Sequence, residues 1–156
     1  HAPLLDIGPD EYDPVMDVNA RSVFFMTKAV VKGMVDEGRK GSVIHISSQM
    51  GHIGGPKRAV YCASKSAVEG MTKAMAIELG PHGIRVNTVC PTFIETDLTR
   101  AALADKEFRA WVESKIQLRR VGQPEDIMGP IVFLASDASS LITGTSLMVD
   151  GGWTAE

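Results

Sequence analysis

The sequence lacks the features that mark membrane, secreted and nucleic-acid-binding proteins. No apolar run approaches the roughly 20 residues that cross a bilayer, so we expect no membrane-spanning helix among the 156 residues. Only two cysteines occur, Cys62 and Cys90, without the C-x-x-C spacing of redox or zinc sites. This usage favours a reducing cytoplasm over a disulfide-stapled secreted domain. A net charge of -3 with scattered Lys and Arg disfavours nucleic acid as a partner.

The composition is that of one globular domain. The chain is 44% hydrophobic and 22% charged, and no repeat, low-complexity tract or linker divides it, so we interpret 1–156 as a single unit. Apolar spacing and turn residues predict helices alternating with short β-branched strands. The predicted helices are 9–36, 60–79, 98–115 and 124–135, although Pro14 could instead mark the start of the first. The predicted strands are 41–48, 84–90 and 146–149.

Alternation of helices and strands with short joints predicts a particular architecture. Consecutive strands joined through helices pair in parallel by right-handed crossovers. Parallel strands need helices on both faces, so the fold class is a doubly wound α/β sheet of the Rossmann-like kind. The helix predicted at 60–79 has apolar residues in two rows, which indicates that it is covered on two sides. One side would pack on the sheet, and the other would suit a second subunit.

One cluster of residues has a recognisable chemistry. Tyr61 and Lys65 are four residues apart in a predicted helix and therefore point the same way. A phenol, with an ordinary pKa of about 10, is a poor proton donor at neutral pH. An ammonium about 4 Å away supplies roughly the 4 kcal/mol needed to lower the pKa of the tyrosine to near neutrality. Tyrosine and lysine four residues apart also occur by chance on helix faces. Ser47 and Ser48 end the preceding strand, where open α/β sheets bind ligands, although serines there also cap turns.

Several separated motifs resemble the classical short-chain dehydrogenase/reductases. They occur in the family's order and extend from Pro3 essentially to Glu156, which makes the match specific. The motifs are DVNARSVF around Asn19, GSVIHISS at 41–48, YCASKSAVEGMTKAMAIEL at 61–79, GIRVNTVCPTFIETDLT at 83–99, RVGQPEDI at 120–127 and ITGTSLMVDGG at 142–152.

The resemblance implies a catalytic tetrad, formed here by Asn19, Ser48, Tyr61 and Lys65. In the family the tyrosine is the acid/base, and the serine steadies the substrate oxygen. The lysine binds the nicotinamide ribose and lowers the pKa of the tyrosine, and the asparagine, in a kinked helix, holds a water that links the lysine to solvent. Without the resemblance, a mid-helix asparagine would be interpreted as bonding its own backbone.

The resemblance also implies that the segment 91–96 lines a nicotinamide pocket and that the cofactor is NAD or NADP. Ile94 would contact the carboxamide through its backbone and Thr96 through its hydroxyl. The family usually has Pro-Gly where this chain has Pro91-Thr92. Because a threonine does not readily adopt positive φ, either the loop does not need it or the pocket is displaced. The implied cofactor-binding residues are Asn19, Tyr61, Lys65, Pro91, Thr92, Ile94 and Thr96.

The family's glycine-rich turn, T-G-x-x-x-G-x-G, and the strand end that selects NAD or NADP have no counterpart in this sequence. We therefore expect 1–156 to be the carboxy-terminal portion of a Rossmann-like domain that a longer polypeptide completes. Without a helix amino terminus facing the pyrophosphate, the chain alone would hold a dinucleotide poorly. Its sheet would also have an unpaired edge.

The activity implied by the resemblance is hydride transfer between a nicotinamide cofactor and a small alcohol or carbonyl substrate, in a homotetramer. The stretch PTFIETDLT is similar to 3-oxoacyl-carrier-protein reductases and the DGGW ending to sugar and polyol dehydrogenases, so both substrate classes stay open. The segment 98–115 resembles the family's substrate-covering segment. Alternatively, its apolar residues, which include Leu103, Phe108 and Trp111, simply pack the helix. The alternative function is a non-catalytic fragment or assembly module. A dehalogenase-like relative would carry Arg in place of Lys65.

No metal site is expected from the histidines. His45 lies within a predicted strand, and His52 follows in a glycine-rich loop, neither with evident ligand partners in the sequence. The stretch around His52 also lacks the glycine order of a phosphate-binding loop. We therefore interpret it as a flexible edge of the site.

Overall fold

The computed structural model describes residues 2–155 as a parallel three-stranded sheet with helices on both faces. The strands lie side by side in the order of the chain, β1 (Gly41–Ile46), β2 (Ile84–Pro91) and β3 (Ser146–Val149). The helices are α1 (Pro9–Met16), α2 (Ser22–Asp36), α3 (Ala59–Leu79), α4 (Asp97–Leu103), α5 (Lys106–Lys115) and α6 (Pro124–Ala135).

The register of the strands determines which residues share a face of the sheet. His45 of β1 is opposite Thr88 of β2, and Thr88 is opposite Ser146 of β3. His45 bonds Thr27 of α2 and Thr72 of α3, so this layer of side chains faces α2 and α3. Side chains alternate along a strand, and the neighbouring layer accordingly faces the opposite way.

The opposite face of the sheet is covered by α6. Ser42 of β1 donates a hydrogen bond to the carbonyl of Leu134, and Arg85, its partner in β2, bonds Ser136 and Ser139 just beyond α6. The central strand is consequently buried at nearly every position. The predicted doubly wound α/β architecture is confirmed.

Two predicted helices are interrupted. The helix expected at 9–36 contains a five-residue π-helical segment, Asp17–Arg21, between α1 and α2. The helix expected at 98–115 is divided into α4 and α5, because the Asp105 carboxylate accepts hydrogen bonds from the backbone of Glu107 and Phe108 and starts a new helix there. The strand expected at 41–48 ends at Ile46.

The buried face of α3 differs from either apolar row that the sequence suggested. The buried positions recur about every four residues along the helix, and several of them are polar. These residues are Ser64, Val68, Glu69, Thr72 and Ala76. One predicted row was Ala63, Ala67, Met71 and Ala74, and its first and last members are exposed. Packing on the sheet is therefore achieved through hydrogen-bonding residues as well as apolar ones.

A separate apolar core lies under α4 and α5. Its members Leu103, Val112, Ile116 and Val121 are at most 3% exposed. Gly151 approaches this core with a φ of +61°, and a Cβ there would lie 2.5 Å from the Ile116 side chain, so glycine is required. A search of the described helices finds none that is both long and apolar enough to cross a membrane.

Candidate active site

The carboxyl ends of β1 and β2 form one border of the candidate site. Ser48 lies just beyond β1, and its hydroxyl oxygen accepts a hydrogen bond from the backbone nitrogen of Met50 at 3.1 Å. Ser48 therefore caps a short turn. It also borders the cavity described below. The neighbouring Ser47 hydroxyl is buried and has no well-formed hydrogen bond among the described residues.

Tyr61 and Lys65 lie on one face of the first turns of α3. The Lys65 Nζ is 5.8 Å from the centre of the Tyr61 ring and donates a hydrogen bond of 3.0 Å to the carbonyl of Ile46 at the end of β1. Burial lowers the pKa of the Lys65 ammonium, and the nearby Cys90 and Glu69 side chains oppose that change. The lysine thus links the helix that carries Tyr61 to the strand that leads to Ser48.

Asn19 lies in the π-helical segment, and its amide reaches across to α3. Its Nδ2 donates to Ser64 Oγ at 3.1 Å, and Ser64 Oγ donates to the Tyr61 carbonyl at 2.7 Å. The amide donor therefore bonds α3 and not only its own helix, in contrast to the simpler interpretation of a mid-helix asparagine. Single π-helical turns often occur at functional sites because they redirect one side chain.

A cavity of about 450 Å³ opens beside Tyr61. It brings together five of the residues singled out in the sequence, which are Ser48, Tyr61, Thr92, Ile94 and Thr96. Asn19 lines a second cavity of about 310 Å³ that Tyr61 also borders. Lys65 and Pro91 line neither cavity; Pro91 ends β2, where it is paired with Val149 of β3.

The 91–96 loop follows β2 without requiring glycine at position 92. Among the described residues, the non-glycine positions with positive φ are Lys57 and Arg119, so Thr92 avoids that conformation. Its hydroxyl is buried and lacks a hydrogen-bond partner in the part of the chain described. The Ile94 carbonyl accepts a hydrogen bond of 2.5 Å from Thr99 Oγ1, which in turn accepts one of 2.9 Å from the Thr96 nitrogen.

Arg58 is a site residue that the sequence reasoning missed. Its guanidinium carbon lies 5.9 Å from the centre of the Tyr61 ring and 5.6 Å from that of Phe93. Among the described residues that line the larger cavity, it is the sole charged side chain. Arg58 precedes Tyr61 by three residues and lies at the start of α3. This short separation in sequence could have identified it as a neighbour of Tyr61.

Aromatic side chains cover the cavity on the side away from α3. Phe93 makes an edge contact with Phe108, whose ring stacks on Trp111 at 5.8 Å. Trp153 stacks on Phe93 at 6.0 Å and contacts Trp111 edge-on. Of the residues proposed for the covering segment, Phe108 lines the cavity, whereas Leu103 belongs to the buried core.

The expectation that His52 lacks metal-ligand partners is wrong. Its Nε2 lies 3.5 Å from a Glu69 carboxylate oxygen and 3.6 Å from Cys90 Sγ. Burial raises the pKa of the Cys90 thiol to about 12. Burial also opposes the charge of Glu69, but hydrogen bonds, foremost that from Ser146, together lower the pKa of its carboxyl group.

The class defined by these features is a Rossmann-like α/β protein whose polar residues gather at the carboxyl ends of its strands. The family model described as enoyl-(acyl carrier protein) reductase matches residues 1–154. The chain belongs to the short-chain dehydrogenase/reductase family.

Known relatives and solved structures resemble the chain over nearly all of its length. It is 42% identical to the 2-dehydro-3-deoxy-D-gluconate 5-dehydrogenase of Escherichia coli over 97% of the chain and 60% of that protein. It is 39% identical to the L-xylulose reductase of Bos taurus, over 98% of the chain and 63% of that protein. The structure of a gluconate 5-dehydrogenase from Burkholderia cenocepacia with NADP and tartrate has a TM-score of 0.95 at 37% identity, covering 99% of this chain and 60% of that one. The chain thus spans about three fifths of these proteins' lengths.

Proposed function

We propose that the full-length protein is an NAD- or NADP-dependent oxidoreductase that interconverts an alcohol and a carbonyl group on a sugar-type substrate. The observation that carries the proposal is the shared cavity, where the Ser48 and Tyr61 side chains meet the segment from Thr92 to Thr96. The names of the relatives, a sugar-acid dehydrogenase and a sugar reductase, support the substrate class. They favour it over the 3-oxoacyl alternative.

The residues of the cavity fit a nicotinamide ring. The buried Thr92 hydroxyl has no hydrogen-bond partner in the described chain, and Ile94 and Phe93 supply apolar walls. A flat ring with a carboxamide matches such a mixture of surfaces. The residues that would hold the cofactor are those of 91–96 together with Asn19, Tyr61 and Lys65. When bound, NAD or NADP supplies the hydride acceptor or donor.

In this mechanism Tyr61 transfers the proton. When an alcohol is oxidised, the Tyr61 oxygen accepts the hydroxyl proton, and in the reverse direction it donates the proton to the carbonyl oxygen. The Ser48 hydroxyl donates a hydrogen bond to the same substrate oxygen and fixes its position. Lys65 would bind the cofactor beside the Tyr61 ring, since its Nζ lies 5.8 Å from the centre of that ring.

Asn19 supports this arrangement from the other side of α3. Its hydrogen bond to Ser64, and that of Ser64 to the Tyr61 carbonyl, connect the π-helical segment to the first turn of α3. This connection restrains the backbone that carries Tyr61. A water held by Asn19 as in the family would lie in the second cavity, which both Asn19 and Tyr61 border.

Arg58 favours a substrate with a carboxylate, such as a sugar acid. A single guanidinium in a cavity whose other described lining residues are uncharged attracts an anion and repels a cation. Guanidinium groups bind carboxylates through two parallel hydrogen bonds. A sugar acid would therefore place its carboxylate at Arg58 and its reacting carbon between Ser48 and Tyr61.

The domain organisation, assembly and location follow as further parts of the proposal. Residues 1–156 would form the carboxy-terminal portion of a Rossmann-like domain, in agreement with the three fifths of the relatives that the chain spans. A homotetramer is supported by apolar side chains exposed on α2, including Phe25 and Val30, and by Ile77 on α3. A cytoplasmic location is supported by the two free cysteines.

Replacing Tyr61 by Phe in the full-length protein tests the proposal. The Tyr61→Phe variant should lose turnover of a sugar acid by at least about a thousandfold, while NADPH binding, followed by cofactor fluorescence, stays unchanged. Tyr12→Phe is the matched control, because Tyr12 is 44% exposed on α1. Retained activity in Tyr61→Phe would refute the assigned role. Absence of both activity and NADPH binding in the parent protein would favour the assembly module.

A further inference from the structure

A second group of chemically active side chains lies between α3 and β2. Glu69 comes from α3, Cys90 from β2 and His52 from the loop after Ser48. Cys90 Sγ lies 3.3 Å from Glu69 Oε1 and 3.6 Å from His52 Nε2, and that nitrogen lies 3.5 Å from Glu69 Oε2. One imidazole nitrogen faces both partners, so the group is not a relay that passes through both nitrogens of a histidine. The ligand atoms of the three side chains instead lie within 4.8 Å of one another.

The donors are close enough together to bind one zinc ion. With Zn–S, Zn–N and Zn–O bonds of about 2.3, 2.0 and 2.0 Å, the ligand atoms of a tetrahedral site lie about 3.3 to 3.6 Å apart. Cys90 Sγ and His52 Nε2 are 3.6 Å apart, within that range. The sulfur lies 3.3 Å from Glu69 Oε1 and the nitrogen lies 3.5 Å from the other carboxylate oxygen, Oε2. A thiolate, an imidazole and a carboxylate are all established zinc donors, whereas Ca²⁺ and Mg²⁺ prefer oxygen alone.

Hydroxyl groups hold the Glu69 carboxylate in one orientation, as neighbouring groups commonly do for the ligands of a metal ion. Glu69 Oε2 accepts hydrogen bonds from Thr88 at 3.0 Å and from Ser146 at 2.5 Å, which fix the carboxylate. Such outer contacts commonly orient the ligands of metal ions.

An independent observation is the buried Ser47 hydroxyl, which has no well-formed hydrogen bond among the described residues. A Cβ added to Gly51 would lie 3.2 Å from this oxygen and 3.1 Å from Glu69 Cγ, so Ser47 and Glu69 both pack closely around Gly51. Ser47 also contributes to the lowered pKa of Glu69, as expected of a hydroxyl beside that carboxylate. This hydroxyl, or a water entering beside His52, whose side chain is 31% exposed, would fill the fourth position.

We propose that His52, Glu69 and Cys90 bind one Zn²⁺ ion. Binding forms a Zn–S bond, and the proton of the Cys90 thiol is released to solvent. The ion would connect the loop after Ser48, helix α3 and the end of β2. These are the segments that carry Ser48, Tyr61 and the 91–96 loop, so the site braces the active site without taking part in the reaction.

Binding of Co²⁺ and Zn²⁺ to the full-length, reduced protein tests the proposal without any activity measurement. Co²⁺ should produce a thiolate-to-metal charge-transfer band that saturates at one equivalent, and one equivalent of Zn²⁺ should abolish it. Cys90→Ser should weaken Zn²⁺ binding by more than ~100-fold. Cys62→Ser, which removes the other cysteine, should leave both the band and the Zn²⁺ affinity unchanged.

His52→Asn keeps the test decisive if Cys90→Ser fails to fold, because the His52 side chain is partly exposed. Zn²⁺ at a hundredfold excess over its Kd should raise the Tm of the parent protein by about 5 °C. This shift should be lost in His52→Asn and kept in His82→Asn, a control at an exposed histidine. Absence of the charge-transfer band, its persistence in Cys90→Ser, or an equal Zn²⁺ shift in His52→Asn would overturn the assignment.

Discussion

The two sides of the candidate site are held together by different interactions. The first side, called here the polar platform, consists of α2, α3 and the sheet, where His45 bonds Thr27 at 2.9 Å and Thr72 at 2.8 Å. The second side, called the aromatic cover, consists of Phe93, Phe108, Trp111 and Trp153, which contact one another through their rings.

The difference indicates a division of tasks. Buried hydrogen bonds are directional and costly to break, so they hold α2, α3 and the sheet in one fixed arrangement. Contacts between apolar rings are less directional, so the cover should be the more easily deformed of the two sides. Leu98 agrees with this view, because it lines the cavity and is 92% exposed.

Removal of the Glu69 carboxylate should break the polar platform most strongly. Glu69→Ala deprives the buried Thr88 hydroxyl and the half-buried Ser146 hydroxyl of their acceptor, so we expect the free energy of unfolding to fall by roughly 3 kcal/mol. Urea unfolding in the presence of EDTA measures this loss. Glu113→Ala on α5, the helix that carries Phe108 and Trp111 of the cover, removes a half-exposed partner of Arg109 and should cost less than about 1 kcal/mol. Equal losses in the two variants would contradict the comparison.

A change of pH should reveal the His45 contribution. Burial lowers the pKa of His45 from its ordinary 6.5, and the negative charge of Glu69 opposes that change only in part. The unfolded chain therefore binds a proton more readily than the folded protein. The His45 contribution is complete above pH 6.5 and should diminish as the pH falls below it, by no more than about 1.4 kcal/mol per pH unit.

Unfolding free energies measured between pH 7.5 and about 5 provide the test. His45→Gln should flatten the dependence, whereas His82→Asn, at an exposed position, should retain it. An unchanged slope in His45→Gln would refute the assignment. Glu69, with its lowered pKa, loses its own contribution only at more acid pH, below its ordinary value of 4.5.

Arg58 lies where the platform meets the cover, and its replacement should affect selectivity more than stability. Arg58→Gln should raise the KM for D-gluconate about tenfold or more, because a charge-assisted hydrogen bond is lost. The KM for xylitol, which has no carboxylate, should change little. Arg39→Gln, at an exposed arginine, is the control. A similar rise in KM for both substrates would show that Arg58 does not select a carboxylate.

The elements of the fold were predictable from the sequence because their signals are local. Gly41 and the β-branched residues after it indicated β1, and the break at Pro81 separated α3 from β2. The division between α4 and α5 was missed because a single side chain, Asp105, determines it against a continuous apolar pattern. The π-helical segment around Asn19 had no signal of its own in the residue pattern and followed only from the family resemblance.

The site was predictable where its residues are close in sequence, and less so where they are distant. Tyr61 and Lys65 share a helix face, so their proximity follows from spacing alone. The meeting of His52 with Glu69 and Cys90 depends on the packing of α3 against β2, which no spacing specifies. The polar character of the buried face of α3 was missed for the same reason, since its partners come from other elements.

Glu69 also has a consequence for the alignment of the sheet. Its one carboxylate oxygen receives hydroxyl hydrogen bonds from Thr88 and Ser146, which are direct partners across β2 and β3. A slip of a single residue would turn the Ser146 side chain to the opposite face and leave the buried charge with one donor fewer. Since β3 has only four residues, this carboxylate helps to determine the register in which so short a strand pairs with β2.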